Sequence, residues 1–470
     1  MASATFVLLL FLLLLLLVLS SLQFSAAGSI NRTQSPKYTK PDHRIDLGSS
    51  LSPSSANSSW PSLYGRFAFG FYPQGNSGFA IGIWYAQIPQ HSVVVWTPNP
   101  NYPPFSSNAT LNLTSAGSFI LKRTPQDPEE HFVYDGFYIS WAYMSDSGNF
   151  ALFDSGHNNL WQSFDFPTNN LLPGQSLLPG QAMHSSVSET NHSDGRFVLV
   201  MEQEGNLVQY PSGKLTKKFA YWESATNMYT LGDYVTLNLD EEGSLYLSNS
   251  SGHTVKNLAT GGTPINDTVF YRMTLDVDGI FRLYSIGLDD QKKSKSWSIM
   301  WESSTDKCIP KGICGMNAYC TYNPMEDKEA VCNCIPGFDF IDKTQQGSDC
   351  RLQSDHHQDC SGILIQNGNF FMPKLEHVNW EDQYEVFPFP TEGACKEACL
   401  LDSDCEVALF GDDDQSCSLQ KLPLRYGRRP VNTSTATTLT FVRGRNCGSF
   451  TTPDTLPHYS TCFYVRLIHL

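Results

Sequence analysis

The segment Glu202–Tyr210 reads EQEGNLVQY. Glu202, Glu204, Asn206, Val208 and Tyr210 alternate along it, and on a β-strand alternate side chains share one face. That face would offer carboxylate acceptors, an amide that donates and accepts, a small apolar surface and a phenol. The set suits a ligand rich in hydroxyls, with Val208 against an apolar ring face. A second chemistry is a glycosidase pair made of Glu202 and Glu204. Residues i and i+2 of a strand lie roughly 6.5–7 Å apart, within the separations that such enzymes use. Both carboxylates would stand on one side of a bound sugar, however, whereas the mechanism needs them flanking the scissile bond. No catalytic residue is therefore assigned. Two carboxylates alone make a poor calcium cage, and no metal or other cofactor is expected.

The element that must position these residues is a hairpin. EQEGNLVQY is one of five related phrases, centred on Gly117, Gly148, Gly205, Gly243 and Gly279. Each has a polar or acidic pair, the glycine, one variable residue and then alternating apolar residues. Glycine tolerates the positive φ of a tight turn, and the alternation fits a half-buried strand. The repetition predicts small sheets that bury their apolar faces against one another. Only 16% of residues are charged while 13% are aromatic, which also favours strands and turns.

The chain has 470 residues and a net charge of -15, which disfavours nucleic acid and anionic membrane surfaces as partners. Phe6–Leu19 is an unbroken apolar run followed by FSAAG, and a signal peptide over 1–27 is expected. No later run reaches the roughly 18 apolar residues of a membrane span, so a secreted, extracellular chain is expected. Eight Asn-X-Ser/Thr sequons agree: Asn31, Asn57, Asn108, Asn112, Asn191, Asn249, Asn266 and Asn432. The 13 cysteines begin only at Cys308 and are clustered, as disulfides of an exported chain would be.

Between the hairpin phrases stands WQSFDFPTNNLLPGQ at 161–175. Together with FAFGFYPQGN at 67–76, IGIWYAQIPQHSVVVWTPNPN at 81–101 and RMTLDVDGIFRLYS at 272–285, it resembles the plant G-type (bulb-type, S-locus-like) lectin receptor-like Ser/Thr kinases. The resemblance runs from about residue 44 to 443. It implies a mainly β chain with tandem bulb-type lectin domains of β-prism fold at 44–163 and 166–295, after a linker at 28–43. It further implies an EGF-like module at 304–351 and a PAN/apple module at 360–443, leaving an atypical tail at 444–470. HRID at 43–46 opens a β domain and is no kinase catalytic loop, and no Gly-rich phosphate loop or Asp-Phe-Gly is present. No enzyme activity is expected of this polypeptide.

Bulb-type lectins that bind mannose use Gln-x-Asp-x-Asn-x-Val-x-Tyr. Asn206, Val208 and Tyr210 match that pattern, whereas Glu202 replaces Gln and Glu204 replaces Asp. Glu202 loses two amide donors, and two carboxylates on one face repel. The copy at Ser145, Ser147, Asn149, Ala151 and Phe153 retains only the Asn. A degenerate carbohydrate site is therefore expected, with scaffolding as the competing reading.

The EGF-like resemblance implies Cys308–Cys320, Cys314–Cys332 and Cys334–Cys350, and the PAN/apple resemblance implies Cys395–Cys417 and Cys399–Cys405. Ser403 stands where relatives carry a further cysteine, which leaves Cys360, Cys447 and Cys462 without assigned partners. The expected function is recognition of a glycan or glycoprotein, as the ectodomain part of a receptor-like kinase in signalling or defence. The alternative is a protein-interaction module that binds no sugar, such as a partner or decoy of a full-length receptor kinase.

Overall fold

A computed structural model describes residues 43–442, apart from 76–77, 89–92, 137, 228–233, 263–268, 288–295, 324–328, 344–346, 353–371, 383–384 and 431–437. The expected signal peptide, Asn31, Asn266, Asn432, Cys360, Cys447, Cys462 and the tail after 443 lie outside the described residues. No helix among the described residues is long and apolar enough to cross a membrane.

The cysteine-free half folds as two units of three four-stranded antiparallel sheets each. In the first unit, one sheet orders Ile45–Asp46, Trp141–Met144, Phe150–Phe153 and Asn159–Gln162. In the second, the sheet with the same connectivity orders Asn170–Leu171, Val269–Leu275, Phe281–Gly287 and Ser298–Glu302, while the sheet that bears the Gly205 hairpin orders Ala182–Ser186, Asp194–Met201, Leu207–Pro211 and Trp222–Glu223. The five phrase glycines explain the repetition. All lie at tight turns with φ between 78° and 90°, a region in which a Cβ is strained. At Gly205 an added Cβ would also meet a Val235 methyl at 3.0 Å.

The two cores are built differently. The first is aromatic: Phe69 stacks on Phe150 at 3.9 Å, and Trp60 lies against both and against Phe119. The second is mainly aliphatic, with Leu177, Leu199, Leu237, Leu247 and Leu283 fully buried from its three sheets. Burial of such side chains is worth about 1.5–3 kcal/mol each, and alternation along each strand supplies them. The units pack together: Leu172, Phe270 and Ile286 of the second join the first core, and the buried Tyr85 hydroxyl donates to Tyr271 O.

One expected boundary needs correction. The second unit does not end at 295. Ser298–Glu302 pairs with Phe281–Gly287 and completes its last sheet. The two cysteine-rich regions also share a sheet. Ala318–Tyr322 pairs with Ala330–Cys334 on one side and, in parallel, with Gly427–Arg428 on the other. Gly427–Arg428 in turn pairs with Asn379–Trp380. One four-stranded sheet therefore spans both modules, above a shared core that includes Trp380, Val378 and Cys320.

Disulfides join Cys308–Cys320, Cys314–Cys332, Cys334–Cys350, Cys395–Cys417 and Cys399–Cys405. Thr391 caps the helix Glu392–Leu401 by accepting from Ala394 N at 3.2 Å. The helix buries Cys395 and Cys399 against the five-stranded sheet that contains Val407–Gly411. Arg196 bridges the two halves of the chain: its Nη1 donates to the carbonyls of Gly312, Ile313 and Gly347.

Candidate functional site

EQEGNLVQY is not one strand. Asp194–Met201 runs into a turn at Glu202–Gly205, and the chain returns as Leu207–Pro211. Glu202 N donates to Asn206 O, and Gly205 N to Glu202 O. Val198 faces Tyr210 and Val200 faces Val208 across the ladder. Because side chains alternate, Glu202, Asn206, Val208 and Tyr210 still share the outer face of the sheet. Glu204 stands at the turn tip, exposed. The strict alternation assumed from the sequence stops at the turn, yet the hairpin gathers the same residues.

Their geometry differs from an open groove. Val208 and Tyr210 are 1% and 2% exposed, packed with Val198 and flanked by Ala182, Val200 and Ala220. The Tyr210 hydroxyl donates to Glu202 Oε1 at 2.5 Å. Burial raises the Glu202 pKa; the bond from Tyr210 lowers it, and Glu204 and Glu223 raise it. Burial and the Glu202 carboxylate hold the Tyr210 phenol well above its usual value. The phenol is thus a donor fixed on a partly shielded carboxylate.

Asn206 is held from three directions. Its Nδ2 donates to Glu223 Oε2 at 2.9 Å, while its Oδ1 accepts from Ser224 Oγ and Thr226 N. Glu223 pairs with Val208 in the ladder and so lies on the same face. It was missed in the sequence, although a signal was present. Trp222-Glu223-Ser224 repeats Trp161-Gln162-Ser163, and Trp301-Glu302-Ser303 does so again. In each, the serine hydroxyl accepts from the backbone N–H that opens the returning strand: Phe150, Leu207 and Phe281 at 2.9–3.1 Å.

The copy around Gly148 uses the same frame for different surfaces. Asn149 Nδ2 donates to Gln162 Oε1, and its Oδ1 accepts from Ser163 Oγ and Phe164 N. Ser145 and Ser147 bond to each other, and Phe153 stacks on Trp141 at 4.1 Å. At the third latch, Asp276, Asp278 and Tyr284 form a cluster not singled out in the sequence. Arg282 is buried and contacts Asp276, Asp278 and Glu302 at 2.6, 2.8 and 3.1 Å. Tyr284 donates to Asp276 Oδ2 at 2.6 Å. Burial disfavours the Arg282 charge, but Asp278 and Asp276 outweigh it and raise its pKa.

Among the described residues, no group of three or more His, Cys, Asp or Glu is placed to hold a metal. Of the sequons within them, Asn57, Asn108 and Asn191 are exposed, and Asn112 and Asn249 are half-buried.

Residues 93–188 match the D-mannose binding lectin family and residues 241–341 the S-locus glycoprotein domain. The chain is 29% identical over 423 residues to the G-type lectin S-receptor-like serine/threonine-protein kinase LECRK1 of Oryza sativa subsp. japonica. That match covers 84% of this chain and 50% of the relative. It is 30% identical to LECRK3 of Oryza sativa subsp. indica, covering 86% and 51% respectively. The chain spans about half the length of the curated relatives it matches. Among solved structures, it is similar to a monomeric monocot mannose-binding lectin from Gastrodia elata, at 20% identity and a TM-score of 0.21. That match covers 29% of this chain and 97% of the lectin. The snowdrop mannose-specific agglutinin complexed with methyl-α-D-mannoside matches at 23% identity and a TM-score of 0.19, covering 25% and 88%. The chain is thus similar, over 84–86% of its length and about half of theirs, to plant G-type lectin S-receptor-like kinases.

Proposed function

We propose that this chain is the carbohydrate-recognising, extracellular part of a receptor-like protein that acts in signalling or defence. Its site would be the outer face formed by Glu202, Glu204, Asn206, Val208, Tyr210 and Glu223. One observation carries the reading: the Gly205 hairpin gathers the motif residues and joins them through the Tyr210–Glu202 and Asn206–Glu223 hydrogen bonds. The match of residues 93–188, which precede this hairpin, to the D-mannose binding lectin family makes a mannoside the first ligand to test. Three carboxylates surround this face, so it offers acceptors to sugar hydroxyls and few donors. Weak affinity for neutral sugars follows, because a site built for hydroxyls loses strongly when its partners are wrong.

The proposal takes the two three-sheet units as tandem bulb-type lectin domains and the cysteine-rich region as EGF-like and PAN/apple modules making protein contacts. It takes residues 1–27 as a signal peptide and the eight sequons as glycan acceptors. It assigns recognition, not catalysis, to this polypeptide. Titration with mannotriose tests it, using wild type and the double variant Glu202→Gln/Glu204→Asp. The double variant should bind at least tenfold more tightly. If neither protein binds at millimolar ligand, the sugar reading of this face fails.

A second reading has one observation in its favour. The Asn206 amide and the Tyr210 hydroxyl already have protein partners, and Val208 and Tyr210 are almost fully covered. A closed face of that kind suits a scaffold within a protein-interaction module. Capture of a receptor kinase ectodomain by a chain that ignores all mannosides would support it.

A further inference from the structure

A cleft of about 1050 Å³ opens between the two lectin units. Val93 and Val94 wall it from the first unit, and the segments 186–197 and 272–284 wall it from the second. Its size reaches the upper end of small-ligand sites, which are usually largely pre-formed. The floor is polar and fixed. Asn170 and Thr274 are 2% and 4% exposed, and the Thr274 hydroxyl donates to Asn170 Oδ1 at 2.6 Å. Asn170 Nδ2 donates to Asn169 Oδ1, and Asn169 Nδ2 to Ser186 Oγ.

Charge is distributed unevenly within this cleft. Arg282 is neutralised by Asp276, Asp278 and Glu302. Arg272 is not: among the described residues its hydrogen bonds go to the neutral Asn170 Oδ1 and Thr274 Oγ1, and its Nε has no partner. Its guanidinium is nevertheless held in place, 4.5 Å from the Tyr284 ring centre and 4.7 Å from that of Trp297. A guanidinium fixed between two rings, with no carboxylate partner among the described residues, is prepared to receive one. At the rim, Arg196 spends its Nη1 on backbone carbonyls, and the carboxylate of Glu189 is exposed.

We propose that this cleft binds a uronate-containing oligosaccharide, with a sugar carboxylate on Arg272 and ring hydroxyls on Asn169, Ser188 and Asp278. The inference deepens the carbohydrate reading and rests on it, but it uses a different site with the opposite charge preference. The Glu202–Glu204–Glu223 face repels acidic sugars, whereas the cleft sets Arg196, Arg272 and Arg282 against Glu189, Asp194, Asp276 and Asp278 and favours a sugar carboxylate at Arg272 alone.

The test is calorimetric titration of the whole chain with trigalacturonate, its neutral counterpart trigalactose, and mannotriose. Wild type should bind trigalacturonate at least tenfold more tightly than trigalactose. Arg272→Gln should lose at least that factor, and Arg272→Lys should fall between, because it keeps the charge but not the fork. Glu189→Gln should strengthen trigalacturonate binding about two- to threefold by removing a like charge from the rim. Equal binding of the acidic and neutral trimers, or undiminished binding by folded Arg272→Gln, overturns the inference. If Arg272→Gln does not fold, an unchanged affinity in Glu189→Gln overturns it instead. Mannotriose separates the readings: uronate failure with mannotriose binding sinks this inference alone. Failure of mannotriose with uronate binding sinks only the outer-face assignment.

Discussion

The hairpins around Gly148 and Gly205 have the same skeleton and opposite surfaces. In both, a buried asparagine accepts from a latch serine and from a backbone N–H, and donates to the residue before that serine. What rests on the frame differs. Around Gly148 the outer face is closed by Phe153 stacked on Trp141. Around Gly205 it carries Tyr210 bonded to Glu202, with Glu204 and Glu223 beside them. The retained asparagine is therefore a structural residue in both copies and carries no information about sugar binding by itself. Function is written in the flanking positions, where Ser145 and Phe153 in one copy stand for Glu202 and Tyr210 in the other.

The third latched hairpin extends the comparison and gives the largest expected effect. Arg282→Met would leave Asp276 and Asp278 without their cation. Removing one partner of a buried ionic cluster costs roughly 3–5 kcal/mol, which urea unfolding would register. A loss below about 1 kcal/mol would mean that water already solvates the cluster. Next comes the frame itself. Asn149→Ala orphans the Ser163 hydroxyl and the Phe164 N–H, and Asn206→Ala the Thr226 N–H while Ser224 Oγ keeps Thr226 Oγ1, at roughly 1–3 kcal/mol each. Similar costs in the two units are expected if both asparagines are structural. If Asn206→Ala abolished glycan binding while costing far less stability than Asn149→Ala, the shared-frame argument would be wrong. Tyr210→Phe should cost about 0.5–1.5 kcal/mol, the range of an ordinary hydrogen bond, because solvent screens the half-buried Glu202 carboxylate that accepts it. Phe153, already a phenyl ring at the matching position, shows that the strand accepts the change sterically.

Much of this was legible in the sequence, for local reasons. A glycine that needs positive φ marks each hairpin whatever surrounds it, so all five turns could be read from single phrases. The mainly β architecture followed from their repetition. Contacts between distant strands were harder. Glu223 reaches Asn206 only because a third strand pairs beside Leu207–Pro211, and the clue lay in the repeated Trp-Gln/Glu-Ser triplet, not in the motif itself. The sheet shared by the two cysteine-rich modules was hidden for the same reason. Gly427–Arg428 pairs in parallel with Tyr319–Cys320 from more than a module away, and a two-residue strand leaves no periodicity. The cleft around Arg272 was least visible, because its walls come from three separated segments and its charge balance depends on which arginine claims which carboxylate.

The smallest expected effect tests the acidic character of the Gly205 hairpin directly. Burial, then Glu204 and Glu223 against the opposing bond from Tyr210, leave the Glu202 pKa above its ordinary value. Between the ordinary glutamate range and that raised value, the folded chain holds a proton that the unfolded chain has released. Stability attributable to Glu202 therefore falls as pH rises through this window and stays lost above it. Glu202→Gln keeps an oxygen acceptor for the Tyr210 hydroxyl and removes the charge. Its Tm should match wild type near pH 3.5, below the usual carboxylate range. It should then rise above wild type as pH increases, by only about a degree at neutral pH, since solvent screens a group this exposed. The same change at the matching position of the Gly148 hairpin is already made by nature, because Ser145 carries no charge. Scanning calorimetry of wild type and Glu202→Gln across pH decides the point. A variant less stable than wild type at neutral pH would show that the Tyr210 bond to a charged acceptor outweighs the repulsion among the three carboxylates.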